Sequence, residues 1–322
     1  MKTTVFKIFL IFTISFSLIA GPYKSYISVL SYSNNHIFII QNGLPNSLIL
    51  KSLNEDNSFI ENIFLKIFLL INSGNYQAGE YDILNKSLFE IHNQFIKGKT
   101  ITHQITIIPG MNKYDVTELI NNSSLIQDCI ELSCLEPIYG FNEGMIIPDT
   151  FFYKKGMKAS NILTTSSQNL VNFLQTIWID KPETNPLKSI DEALILASIV
   201  EKEAGNDEEK GMISSVFLQR LSLGMKLQAD PTIIYGLLPS FDGDIKRKDI
   251  KDKNNKFNTY VIKGLPPTSI AISSKSSIEA AILSEPGDYL YFVANKEGSH
   301  YFSKTYNEHL EAVKLYQLQW WN

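Results

Sequence analysis

An α+β architecture in three parts is predicted for this chain from three features of its sequence. A lysine-flanked apolar run opens it, residues 36–100 alternate strand-like and helix-like patterns, and from 101 onward capped helical segments dominate, interrupted by short strands. The expected divisions are an anchor and connector at 1–27, a small module at 36–100 and a larger, mainly helical domain at 101–322. With 322 residues, 44% of them hydrophobic, the chain can enclose one large or two medium cores.

The first part rests on Lys2 and Lys7, which surround the start of an apolar run from Ile8 to Ala20, followed by Gly21-Pro22. The run holds roughly 13 residues, the length of a signal-peptide core rather than the roughly 20 of a spanning helix. Ser17, Leu18 and Ile19 before Ala20 do not make an A-x-A cleavage pattern, and a helix continued toward Ile27 would supply the missing length, which favours a retained anchor. The flanking lysines place the N-terminus in the cytoplasm and the rest of the chain outside.

In the second part, IFII, the run from Leu44 to Leu53, ENIFLKIFLLINSG, AGEYDI and SLFEIHNQFIKGK read as strand, helix, helix, strand, helix, with Gly74 and Gly98 as stops. No catalytic grouping falls here, so binding or spacing is its expected work. In the third part 103–110 alternates like a strand, 112–122 and 159–180 read as amphipathic helices, and Pro182 and Pro186 precede a helix from Ser189 to a glycine stop at Gly205. Ser189 with Glu192, Asn206 with Glu209, Ser276 with Glu279 and Thr305 with Glu308 have capping-box spacing. Pro266-Pro267 requires 258–271 to be extended, and 289–294 reads as a buried strand.

A net charge of -4 gives no electrostatic reason to expect a nucleic-acid partner. Cys129 and Cys134 could pair in an exported protein or be incidental thiols; neither they nor the five histidines have metal-ligand spacing, so neither metal nor cofactor is expected.

The segment SIVEKEAG at 198–205 carries two carboxylates, Glu201 and Glu203, which a helix turns to nearly opposite sides. Glu203 follows the stripe of Leu196, Ile199 and Val200, and Glu201 that of Leu194, Ala197 and Ser198, so Glu203 is the one expected against apolar surface. A carboxyl so placed stays protonated toward neutral pH and can serve as a general acid. On the residues alone, the reading of the EKE triplet as solvated helix-end charge comes first.

The order of motifs decides between these readings. ALILASIVEKEAG, then SSVFLQRLSLGMKLQADPTIIYGL, then NTYVIKGLPPTSIA, then YLYFVANKEGSHYFSKTYNEH resemble, in sequence and spacing, the endolytic murein transglycosylases of the YceG-like family. TIIPGMNKYDV and NEGMIIPDTFF are similar, more loosely, to upstream elements of that family; Pro-Gly stands for Pro-Glu-Gly, and Met145-Ile146-Ile147 precedes Pro148. The resemblance implies a LysM-like module at 36–100 and a catalytic domain of lytic-transglycosylase type. It also implies a single-pass anchor in the bacterial cytoplasmic membrane with the catalytic domain on the outer side, and synthase or division-protein companions. The implied reaction is non-hydrolytic cleavage within peptidoglycan glycan strands, between N-acetylmuramic acid and N-acetylglucosamine, leaving 1,6-anhydro ends. One glutamate of the VEKE element would act as acid and then base: Glu203 on the face argument, with Glu201 as the other candidate. Gln228, Asp230, Asn258, Tyr260 and His300 are the candidate substrate contacts. Arg220 is expected to be structural and Tyr235 to pack in the cleft wall. A non-catalytic peptidoglycan-binding scaffold is the alternative function.

Overall fold

The computed structural model describes residues 2–28, 37–53, 58–295 and 298–317, with the side chains of 2–9 and 12 outside that description. The chain divides into two units, one comprising 1–103 with 152–156, the other 104–151 with 157–322.

The first unit begins with helix α1 (Lys2–Ser28), which continues through Pro22. The expected membrane-spanning segment falls on it, yet among the described residues no helix is long and apolar enough to cross a membrane. Strands β1 (Ile37–Ile40) and β2 (Gly79–Asp82) pair antiparallel, Ile37 opposite Asp82. With α2 (Asn46–Lys51), α3 (Phe59–Ile71) and α4 (Leu88–Lys97) they give the order expected from the sequence pattern. Reciprocal capping boxes, Ser58 with Glu61 and Ser87 with Glu90, start α3 and α4. Their inner faces, with the sheet, enclose Phe68, Tyr81, Ile91 and Phe95, against which Tyr23, Tyr26 and Ile27 of α1 lie. Residues 152–156 join this unit: Lys155 Nζ is 3.1 Å from the buried Glu80, and Lys154 Nζ donates to Thr100 O at 2.9 Å.

In the second unit the elements are mostly helices with a small antiparallel sheet, the α+β mixture expected. Strands β3 (His103–Thr106) and β4 (Thr150–Tyr153) lie where the chain passes from one unit to the other; within the second, β5 (Tyr291–Ala294) and β6 (His300–Ser303) form a sheet, Tyr291 opposite Ser303. The helices are α5 (Lys113–Asn121), α6 (Ala159–Ile177), α7 (Ile190–Glu203), α8 (Lys210–Ser222), α9 (Asp230–Leu237), α10 (Arg247–Ile250), α11 (Lys275–Leu283) and α12 (Tyr306–Tyr316). Cys129 and Cys134 are joined in a disulfide, closing a short loop after α5.

At the centre is α7, every residue of which from Ala193 to Val200 is buried. It packs on α8, α9 and α11. Ser198 is the polar interruption: its hydroxyl donates to Ile195 O at 2.7 Å and accepts from Ile270 N at 3.0 Å, fixing the 269–272 segment along the helix. That segment also exchanges backbone bonds with the Pro109-Gly110 turn, Gly110 N to Ile272 O and Ile272 N to Met111 O. The expected extended course of 258–271 is not found: 259–261 form a turn, Val261 N and Ile262 N both donating to Asn258 O, and the chain bends at 270–271.

Three expected helix ends differ. The Ser189 side chain makes no cap bond, because Glu192 accepts from Lys188 N instead, at 2.6 Å. The helix stops at Glu203 with an extended Ala204, and Gly205 has no left-handed role; a Cβ there would meet Gly298 O at 3.0 Å. Helix α11 is capped by Ser274, whose side chain accepts from Ser277 N, and not by Ser276. The expected buried strand at 289–294 is shorter, Tyr291–Ala294, with Val293 its one buried residue.

Gly144 tests this packing. It has φ +72°, and an added Cβ would lie 2.7 Å from Ala271 O. Both left-handed strain and backbone collision act against a side chain, so Gly144→Ala is expected to lose about 2–4 kcal/mol in urea denaturation, through a lower midpoint at unchanged slope. A loss below about 0.5 kcal/mol would show that the 269–272 segment is not held against this turn.

Candidate active site

The last turn of α7 sends its three charged side chains to three surroundings. Lys202 points outward, its Nζ donating to Gly110 O at 3.2 Å. Glu201 turns to the start of α11, where its carboxylate accepts from Ser274 N at 2.9 Å and Ser277 Oγ at 2.6 Å, and from Ser274 Oγ. The buried Lys210 Nζ lies 3.4 Å away. Burial alone would raise the Glu201 carboxyl, but the serine donors and the lysine hold it below its ordinary value.

Glu203 enters a cavity of about 460 Å³, and among the described residues its carboxyl meets no hydrogen-bond donor. Desolvation raises it from an ordinary 4.5 to about 7; the charge of Asp230 adds to the rise and that of Arg220 offsets part of it. The face argument fails as a discriminator, since both stripes of α7 are buried. What separates the two glutamates is the supply of donors: Glu201 is saturated, Glu203 has none.

Around the same cavity stand Gln228, Asp230, Tyr260 and His300. Gln228 is exposed with φ +54°, and its N–H donates to Thr259 O at 3.2 Å. Asp230 is the first residue of α9, and its Oδ1 accepts from the Tyr260 hydroxyl at 2.7 Å. The backbone beneath is locked by buried threonines: Ala229 N donates to Thr259 Oγ1 at 3.0 Å, and the Thr232 and Thr259 hydroxyls are 2.9 Å apart. Thus DPT and NTY, thirty positions apart in sequence, dock as one unit. His300 lines the wall with Nδ1 3.0 Å from Glu209 Oε2.

Asn258 is a correction. It is fully buried, and its amide donates to the carbonyls of Asp249, Ile250 and Asp252 at 3.0–3.1 Å while its Oδ1 accepts from Tyr260 N. It caps the end of α10 and shapes the turn that aims Tyr260, with nothing left for a ligand. Tyr235 is another: its hydroxyl donates to the buried Glu143 at 2.7 Å, in a separate cavity of about 510 Å³ beside Lys113 and Phe257. Arg220 is structural as expected, donating to Leu290 O at 2.7 Å and Leu227 O at 2.6 Å, but it also faces the cavity. Tyr291 and His309 complete the wall without having been singled out in the sequence. No group of three or more acidic, histidine or cysteine side chains suited to a metal occurs among the described residues.

The family model of YceG-like proteins matches residues 38–315. The chain belongs to the YceG-like family. The endolytic murein transglycosylase of Bacillus subtilis (strain 168) is 34% identical over 176 residues, covering 54% of this chain and 48% of that protein. The enzyme of the same name from Streptococcus pneumoniae serotype 2 is 29% identical over 175 residues, 52% of this chain and 31% of its own length. The chain thus spans half or less of the curated relatives it matches. A YceG-like protein of solved structure from Listeria monocytogenes superposes with TM-score 0.55 and 27% identity, over 85% of this chain and 97% of that one.

The two glutamates have opposite linkage to pH. Glu201, held low, contributes stability that is present above its unfolded-state value and is lost as pH falls through the folded one. Glu203 is raised, so from 4.5 to about 7 the unfolded chain has released a proton that the folded chain keeps, and stability falls as pH rises across that window. At pH 7 Glu201→Gln is expected to lose on the order of 1–3 kcal/mol in chemical denaturation. Glu203→Gln should raise Tm relative to wild type at that pH, and much less at pH 4.5. Equal destabilisation by both at pH 7 would remove the distinction drawn between them.

Proposed function

We propose that this chain is an endolytic lytic transglycosylase of peptidoglycan, cutting glycan strands between N-acetylmuramic acid and N-acetylglucosamine without water. The observation that carries the reading is the Glu203 carboxyl, desolvated and without a donor, at the wall of a cavity that also presents Gln228, Tyr260 and His300. Such a group keeps its proton near neutral pH, as a general acid must. The names of the relatives from Bacillus and Streptococcus support the same substrate and reaction.

In this mechanism Glu203 passes its proton to the glycosidic oxygen as the bond to the anomeric carbon breaks. The 6-hydroxyl of the same muramic residue then attacks that carbon, and its proton returns to the Glu203 carboxylate. The product is a 1,6-anhydro end, and the acid is regenerated in place. Gln228, the Tyr260 ring and His300 orient the sugars, the ring by stacking. We also read the lysine-flanked apolar run at the start of the chain as a membrane anchor that leaves the catalytic domain on the wall side. Lys2 and Lys7, the exposed Ile11, Phe16 and Leu18, and the Cys129–Cys134 disulfide, suited to an oxidising compartment, support that reading.

Digestion of purified glycan strands, followed by mass spectrometry, tests the assignment. Wild type should give ends one water lighter than hydrolysis products, with activity falling as pH rises through about 7. Glu203→Gln should reduce the rate by at least about 10²-fold. Reducing ends in place of anhydro ends would make the chain a hydrolase, no cleavage at all a binding scaffold, and full activity in Glu203→Gln would move the acid elsewhere.

A further inference from the structure

Two carboxylates line the cavity among the described residues, Glu203 and Asp230, and their surroundings are opposite. Glu203 is enclosed and meets no donor. Asp230 is exposed at the cavity mouth, accepts from the Tyr260 hydroxyl at 2.7 Å and occupies the first turn of α9, where the helix dipole favours an anion. A phenol that donates to a carboxylate stabilises its ionised form. Its position is also built: the buried Thr232 and Thr259 hydroxyls and the Ala229 N–H bond to Thr259 fix the backbone on which Asp230 and Tyr260 meet.

The charge balance of the cavity gives this anion a purpose. The Arg220 guanidinium stands in the wall, close enough to Glu203 to act on it electrostatically, and held there by Leu227 O and Leu290 O. Positive charge growing on a sugar ring beside a guanidinium would be opposed unless an anion were present, and a protonated Glu203 supplies none. From these placements, and resting on the transglycosylase reading above, we infer that Asp230 is a second catalytic group, an ionised carboxylate that stabilises the cationic transition state while Glu203 moves the proton.

The step balances. As the bond between the anomeric carbon and the glycosidic oxygen breaks, its electron pair stays with that oxygen, which takes the Glu203 proton. The anomeric carbon and ring oxygen share the resulting positive charge, faced by the Asp230 carboxylate, while the new Glu203 carboxylate is faced by Arg220. Bond formation from the 6-hydroxyl oxygen then discharges the cation, and the released proton neutralises Glu203. No water, oxidant or reductant is consumed. Cleavage therefore uses the proton of Glu203 and the charge of Asp230 together. The groups facing this pair are Arg220 of α8, Tyr260 of the 258–260 turn, Tyr291 of β5, His300 of β6 and His309 of α12.

Asp230→Asn keeps an oxygen to accept from Tyr260 and removes the charge. On purified glycan strands it should lower kcat by about 10²–10³-fold with KM within about threefold. Its residual activity should fail at lower pH than wild type on the alkaline side, since the charge that raises Glu203 is gone. Tyr260→Phe decides the matter if Asp230→Asn does not fold: it keeps the ring and removes the donor that holds the Asp230 carboxylate in place, so kcat should fall at least about tenfold with KM within about threefold. Full kcat in Asp230→Asn, a change confined to KM, or full kcat in Tyr260→Phe would overturn the inference while leaving Glu203 and the reaction untouched. If wild type makes no anhydro ends, the parent reading falls first, so the two failures are distinguishable.

Discussion

The burial of α7 on all sides is the constraint from which the rest of the second unit follows. Eight consecutive residues, Ala193 to Val200, are buried, so the charges at the end of the helix come only in its last turn, where Lys202 alone is exposed. Each must be met by something specific. The start of α11 meets Glu201 with serine donors, the Pro109-Gly110 turn meets Lys202 with a carbonyl, and the cavity receives Glu203. Donors around a buried carboxyl favour its ionised form, and burial without them favours the protonated one. Both kinds stand two residues apart on one helix end.

The opposite wall is held by a different device. Helix α9 is short, and its own hydrogen bonds do little to fix its first residue, Asp230. Thr232 and Thr259 hold it from below, Asn258 from behind through the carbonyls that end α10, and Tyr260 from above. The polar atoms of these motifs are spent almost entirely on one another. What reaches the cavity is a carboxylate, a phenol and the amide of Gln228.

Much of the fold was legible because it rests on local signals. The helix and strand periods of 37–100, the capping box of Thr305 with Glu308, the amphipathic helix that begins at Asn112, and the helix ending in VEKE are read within a dozen residues. Errors arose where a local pattern was overruled by a distant partner. Asn258 became a clamp through carbonyls beyond its own turn, and Tyr235 was drawn to Glu143, ninety-two positions away. The pairing of Cys129 with Cys134 was open from spacing alone. The selection of Glu203 illustrates the same limit. Its stripe of apolar neighbours was real, but so was that of Glu201, and only the three-dimensional placement of Ser274 and Ser277 tells the two apart.

Because the roles of Glu201 and Glu203 are set by the phase of one helix, the last turn of α7 responds very differently to two kinds of genetic change. Replacement of Lys202, which only reaches across to Gly110 O, leaves that phase alone. Insertion or deletion of a single residue between Val200 and Glu203 would rotate everything after it by about 100° and withdraw a carboxylate from the serines or from the cavity. Over evolutionary time this stretch should therefore drift in letters while remaining fixed in length.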